Sequence, residues 1–402
     1  MAWILLVFAT VDRPPNERAG ALAVTIGIVQ FFFAVTWTVY VVYLPQLVEQ
    51  AGIARSWVPW ILAADQVIFA AVDVATGFWV DRVRNTLARL GGWILALSVV
   101  SALAFIALPF TGASPALLLG SIAIWAVTSS ALRSPPWALL SRHAATPRLP
   151  WLSMLALTGT ALAAAASPYL GLALRGIDPR VPFLVSTLTL LAAVGGLVIA
   201  ERRAAAAPAV AHPPEAHRPR AVALFFIALL AMTLGFQLHS AINSGPQYLR
   251  FAKPEDLALL LPVFWIGFQL GMLPASRLAK RIGTVPLMAL AAACGALATL
   301  ACAFAFSKTF LLGTQFLAGA CWGAACVAAY TTAVGFGRTG REGRFLGTLF
   351  AMFAVATLFR LIVVPSGIGS MAEFKALLPW LPSLAWLAAG LLLIYARSTK
   401  RP

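Results

Sequence analysis

Twelve apolar runs recur along the 402 residues, and no other feature restricts the fold as severely. They occupy residues 20–47, 57–80, 88–109, 115–140, 150–173, 181–200, 220–247, 256–279, 285–306, 309–335, 344–365 and 376–396. A helix of about 20 residues crosses the hydrocarbon core of a bilayer. Barrel strands would be about ten residues of strict alternation, and no segment alternates. The sequence therefore predicts an all-α polytopic membrane protein. Composition agrees: 61% of residues are hydrophobic and 10% charged, too little polar surface to coat a soluble globule.

The net charge of +16 would fit a nucleic-acid partner if the cations shared one face, but they alternate between loops. With the N-terminus placed inside, 20 of the 29 Lys and Arg fall on inward segments and 7 on outward ones, leaving Arg133 and Arg360 within spans. This is the positive-inside pattern. It predicts an integral plasma-membrane protein, of bacterial inner-membrane type, with both termini cytoplasmic and no nucleic-acid partner. All four cysteines lie in spans and suggest no metal or disulfide. The opening "MAWILLVFAT" is too short to span and lacks the marks of a signal peptide; it reads as an interfacial segment or a misassigned start.

The segment "ERRAAAAPAVAHPPEAHRPR" reads as a flexible linker. It divides the chain into an N-terminal six-helix bundle (1–200), a cytoplasmic linker (201–219) and a C-terminal six-helix bundle (220–402). The halves repeat a motif. "GFWVDRVRN" (77–85) ends the second span and "SRLAKRIGT" (276–284) ends the eighth, so that Arg82 and Arg281 lie half a chain apart. Both stretches resemble the loop motif Gly-x-Leu-Ala-Asp-Arg-x-Gly-Arg of the major facilitator superfamily. The first keeps Gly77, Asp81 and Arg82 but has Arg84 at the second glycine; the second keeps Arg281 and Gly283 but has Lys280 at the acid. The resemblance implies two pseudo-symmetric six-helix bundles around a central cavity, with substrate near the midplane and alternating access by rocking. It also implies a cytoplasmic latch between Asp81 and the start of the eleventh helix, favoured by the helix dipole, where the residues alone would also allow a solvated turn.

Asp73 lies inside the second span, where a charge at the bilayer centre costs about 2.5–3.5 kcal/mol. It needs a partner. Asp73 precedes Asp81 by eight residues, about 12 Å, and Arg133 precedes Arg142 by nine, about 13.5 Å, which puts Asp73 and Arg133 at one height in the same bundle. They are expected to pair, as a permanent strut or as part of a substrate or proton site. Asp65, eight residues further up, is turned by about 80° and has no basic neighbour in sequence. A carboxyl group taken out of water without a cation favours its neutral form, so Asp65 is the candidate proton carrier.

Helices two and four also resemble the glycoside-pentoside-hexuronide cation symporters. Their Asp-x-x-x-Asp-x-x-x-Gly pattern reads Phe69, Asp73, Gly77 here, and their Asp-x-Pro-x-Trp-x-Leu run reads Arg133, Pro135, Trp137, Leu139. Two of three cation-binding carboxylates are thereby replaced, one by an arginine whose fixed charge takes the cation's place. The resemblance thus argues against sodium coupling and leaves the proton as coupling ion, with no other cofactor.

Further candidate contacts are Trp37 and Tyr40, which share a face of the first span, with Tyr43 assigned to the interfacial aromatic belt. In the seventh span, "GFQLHSAINSGPQY" offers Gln237, His239 and Asn243 beside a break expected at Gly245-Pro246; a frayed helix end is the alternative. Gln269, Gln315 and Arg360 complete the polar set. Arg360 either snorkels outward or faces the cavity, where it would favour an anion. Glycine-rich stretches such as "VGGL" and "LAGACWGAAC" read as close helix packing. No HExxH, GxSxG or Walker A pattern marks an enzyme. The leading expectation is a monomeric, proton-coupled secondary transporter for a sugar-like metabolite or an organic anion, with a drug/metabolite efflux antiporter or a transport-inactive sensor as alternatives.

Overall fold

A computed structural model describes residues 15–82, 90–205, 218–337, 340–363, 365–368 and 371–398. The opening apolar segment, Arg84, most of the linker with His212 and His217, and the final basic residues lie outside these. Among the described residues there is no strand. Among these residues eleven stretches are long and apolar enough to cross a membrane, and a twelfth helix is slightly shorter.

In chain order the spans are α1 (Pro15–Gln50), α2 (Val58–Arg82), α3 (Leu90–Ala107), α4 in two pieces (Pro115–Ser129 and Pro135–His143), α5 (Leu149–Ala173) and α6 (Arg180–Ala205). The second half has α7 (Pro219–Gln237, continued by Leu238–Asn243 and Ser244–Leu249), α8 (Pro262–Ile282), α9 (Thr284–Ala303), α10 (Lys308–Gly337), α11 (Glu342–Val363) and α12 (Leu381–Ser398). Within the first half α1 packs on α5 and α6, and within the second α10 packs on α8 and α9. The halves meet along two seams, α2 against α11 and α5 against α8. A central space is left between them.

Two spans depart from a continuous α-helix, α4 and α7. α4 breaks after a 3-10 turn at Ser130–Leu132, because Pro135 and Pro136 have no N–H to return to the carbonyls of Ala131 and Leu132. The orphaned carbonyl of Leu132 is satisfied from another helix: Gln30 Nε2 on α1 donates to it at 2.8 Å. Arg133 sits in this break. In α7 the expected interruption at Gly245-Pro246 is absent. A π-helical turn, Leu238–Asn243, precedes this dipeptide, after which the chain continues as a helix through both residues. A π-turn moves each acceptor one residue further back, and Ser244 N–H accordingly donates to His239 O.

Close helix packing by small residues holds for "LAGACWGAAC", where Gly319 and Gly323 lie against the backbone of Phe264 and Phe268 on α8. It fails for "VGGL": a Cβ on Gly195 or Gly196 would meet nothing within 4 Å. Tyr43 also departs from the interfacial belt. It is buried, and its hydroxyl donates to the carbonyls of Leu174 (2.9 Å) and Ile177 (3.1 Å).

Candidate functional site

Between the halves lies a cavity of about 310 Å³ lined by both. Its wall repeats at helical spacing. Gln30, Phe33 and Trp37 come from α1, Thr233, Phe236 and Gln237 from α7, Trp322, Cys326 and Tyr330 from α10, and Phe350, Phe353 and Thr357 from α11. These i, i+3, i+4, i+7 and i+8 sets each place one stripe of a helix toward the centre. Gln66 and Phe69 of α2, Thr160 of α5, and Trp265 and Phe268 of α8 complete most of the remainder. The surface is aromatic, with amides and hydroxyls at intervals.

Arg133 is the one charged residue on this wall among the described residues. Its guanidinium lies 4.8 Å from the ring centroid of Phe69 and 5.4 Å from that of Phe350, a cation–π contact from each half of the protein. Behind it, Nη1 is 3.3 Å from Asp73 Oδ2. Asp73 is 0% exposed and neither of its oxygens accepts a hydrogen bond. The carboxylate therefore depends on Arg133 for its compensation. The arginine, 12% exposed at its side chain, faces the cavity.

The structure sorts the remaining candidates into layers. Trp37 and Gln237 line the cavity, with Gln237 Nε2 donating to Thr357 Oγ1 at 2.8 Å. Tyr40 and Asp65 lie behind the wall rather than on it: the Tyr40 hydroxyl donates to Asp65 Oδ2 at 2.8 Å, and the Tyr40 ring packs against Trp37 and Trp125. Asp65, 1% exposed, thus has a partner in a phenol that the sequence did not assign to it. Trp137 is buried beneath the cavity, its ring 4.2 Å from that of Tyr330 across the interface between halves.

His239, Asn243, Gln269, Gln315 and Arg360 are not on the central wall. His239 Nε2 donates to Gln315 Oε1 at 3.0 Å, and Gln315 Nε2 donates to Gln247 Oε1 at 3.0 Å, so this polar set ties α7 to α10. Asn243 Nδ2 donates to Leu378 O, and Gln269 Nε2 donates to Thr158 Oγ1 across the α5–α8 seam. Arg360 is half-buried on α11 and its Nε has no hydrogen-bond partner. Among the described residues the central cavity therefore has no second cation. Sequence reasoning missed Gln30, Thr160, Thr233, Phe236, Trp265 and Tyr330. Charge drew attention first, whereas the available signal was the seven-residue recurrence of polar and aromatic residues on one face, as in Gln30–Trp37.

At the end of the halves that carries the loop motif, Asp81 closes the α2–α11 seam. Its carboxylate accepts from the backbone N–H of Gly343 (2.7 Å) and Arg344 (3.1 Å) and from Arg344 Nε (3.1 Å). This is the opening turn of α11, where unsatisfied N–H groups and the helix dipole favour an anion. Gly77 allows the approach, because a Cβ there would strike the carbonyl of Gly343. Arg82 is exposed. The second copy builds a turn without a latch: Gly283 ends α8 at φ 89, a conformation suited to glycine, while Lys280 and Arg281 are exposed.

No curated protein matches the sequence. Solved structures do. The human organic anion transporter MFSD10 has a TM-score of 0.69 at 17% identity, covering 95% of this chain and 100% of its own. A bacterial homologue of the iron transporter ferroportin, in an outward-facing state, has a TM-score of 0.70 at 14% identity, covering 96% and 100%. The E. coli fucose:proton symporter has a TM-score of 0.66 at 14% identity, covering 96% and 99%. At such identities the likeness is one of fold. The Major Facilitator Superfamily model matches residues 26–360, most of the chain and both of its halves, and the protein belongs to that superfamily of membrane transporters.

Proposed function

We propose that the protein is a proton-coupled secondary transporter that carries a small organic anion with an apolar or aromatic body through the central cavity. The observation behind this reading is the Arg133–Asp73 pair, with the guanidinium on the cavity wall and the carboxylate buried behind it. An anionic solute entering this space meets one cation among aromatic rings. If it takes that cation, Asp73 is left as an uncompensated buried charge, which costs several kcal/mol. Uptake of one proton by Asp73 removes the cost. Solute anion and proton would then cross together, electrically neutral as a pair.

In this reading the motif end is cytoplasmic, as the distribution of Lys and Arg argues, and both termini share that side. One chain contains the whole cavity, in keeping with a monomer. Asp65 is a less direct proton site, since Tyr40 separates it from the solute. A neutral, sugar-like solute is the second reading, favoured by Gln30, Gln66 and Gln237 beside Trp37. An efflux antiporter has the same cavity available, and a sensor would bind without transport.

The test uses proteoliposomes that enclose a pH-sensitive dye, challenged with organic anions, sugars and amphipathic drugs. A proton signal evoked by anions, and abolished by Asp73→Asn, is the expected result. A signal evoked by sugars alone would transfer the assignment to the second reading. Binding without movement of solute would favour the sensor.

A further inference from the structure

A second chamber, of about 170 Å³, lies between the halves and is lined by Ser167 of α5, Ser240, Ser244 and Tyr248 of α7, and Gln315 of α10, among others. The helix registers place it relative to the central cavity. Four helices contribute to both spaces, and in each a residue of the second chamber is seven positions from one of the central cavity or its wall. The pairs are Thr160 and Ser167 on α5, Gln237 and Ser244 on α7, Phe268 of α8 with Leu261 at that helix's N-cap, and Gln315 and Trp322 on α10. On the continuous α-helices α5 and α10 seven residues are two turns, about 10.5 Å along one face, whereas on α7 the π-turn Leu238–Asn243 intervenes and that pair gives the direction only. The second chamber therefore lies two turns beyond the first, on the side away from the loop motif. One residue lines both: Trp265.

The chemistry of the two spaces differs. The central cavity has a cation, whereas the second has, among the described residues, no charged residue on its wall and presents hydroxyls and an amide beside the rings of Phe264 and Trp265. Tyr248 is 1% exposed and its hydroxyl has no hydrogen-bond partner, an unusual condition for a buried phenol. The Trp265 indole is braced against Phe236, Phe264 and Phe268, with ring centroids 5.5 to 5.8 Å away. It is held as a fixed wall.

We propose that Trp265 determines specificity by setting the length of solute the protein accepts, and that the chamber behind it is a latent subsite for a neutral hydrogen-bonding group such as a hydroxyl. The proposal rests on the central cavity being the solute site. A solute anchored at Arg133 extends along the aromatic wall until it meets the indole. With the indole removed, the two spaces become one, and a longer solute carrying a distal hydroxyl reaches Ser240, Ser244 and Tyr248.

Straight-chain ω-hydroxyalkanoates of graded length, the matching alkanoates, and α,ω-diols as uncharged counterparts would be titrated calorimetrically into the purified full chain. Trp265→Ala is expected to bind the longer ω-hydroxyalkanoates at least tenfold more tightly than the wild type does. It should also prefer them to alkanoates of equal length, while the shortest members change less than threefold. Adding Ser240→Phe to Trp265→Ala should restore the wild-type length limit, and Trp265→Phe should fall between. Equal loss at every length, or a length shift that persists with Ser240→Phe, overturns the partition. No binding of any series to Trp265→Ala, when Trp265→Phe and the wild type are folded by their melting curves, overturns it as well. If the diols show the length shift and the carboxylates do not bind, the partition stands and the anion reading fails.

Discussion

Asp73 and Arg133 face each other at 3.3 Å between α2 and the break in α4, and the aspartate has no hydrogen bond to fall back on. The pair is asymmetric in its surroundings. One member is sealed from solvent and the other meets the cavity, so anything that binds the arginine also decides what the aspartate must do.

Removing Arg133 alone should be worse than removing both partners. Arg133→Gln alone leaves the Asp73 charge buried and uncompensated and is expected to destabilise the protein by about 3–5 kcal/mol, while Asp73→Asn leaves a guanidinium that still meets the cavity and should cost less. The double variant should recover most of the Arg133→Gln loss. Melting in detergent measures all three, and a double variant as unstable as the sum of the singles would show that the two charges do not compensate each other.

Gln30 should matter for the shape of α4. Gln30→Leu leaves the Leu132 carbonyl without its donor, at a cost of about 1–3 kcal/mol for a buried unsatisfied group. Because Arg133 follows directly, solute affinity should fall along with the melting temperature. Normal affinity in a destabilised Gln30→Leu protein would separate the cap from the site.

The Asp81 latch should bias the protein toward closure at the motif end. Asp81→Asn weakens bonds made by an ionised acceptor, each worth about 1.5–3 kcal/mol, so the population open at that end should rise at least tenfold. A reporter is a single cysteine at Ser153, which is buried and receives a hydrogen bond from Thr331 of the other half. Faster alkylation in Asp81→Asn is the expected outcome, and unchanged alkylation would mean that other contacts hold the seam.

Gly77→Val should act on the same seam through volume alone. Its side chain would occupy the space taken by the Gly343 backbone, so closure is blocked with every charge intact. Transport should be lost while solute binding from the motif side persists. Restored transport at lower temperature would show that the seam adapts instead.

How much of this was legible follows from the physics of each signal. The spans could be read because a bilayer demands about 20 apolar residues whatever the neighbours are. The Asp73–Arg133 pair was legible because both residues could be measured in helical rise from charged ends. The two helix interruptions were only half legible: prolines mark where N–H groups are missing, but whether the chain breaks, as at Arg133, or continues as a helix, as through Gly245-Pro246, depends on packing. The polar residues of α7 were sorted only by the structure, Gln237 onto the central wall and His239 and Asn243 away from it. His239 bonds Gln315 through Nε2, and Asn243 donates to the carbonyl of Leu378, all inside one half, and sequence does not distinguish a polar group that holds helices together from one that awaits a solute.

The latch has a counterpart in position but not in chemistry. The α2–α11 seam is fastened by a carboxylate, a helix end and a guanidinium, whereas the α5–α8 seam is joined by neutral contacts such as Gln269 to Thr158. The Asp81 side chain is 4% exposed and that of Arg344 38%, and their contact at 3.1 Å is far shorter than the screening length of about 8 Å at physiological ionic strength. Added salt is therefore expected to loosen neither edge appreciably, so that the two sides of a duplicated architecture, joined by different chemistry, share an indifference to the surrounding electrolyte.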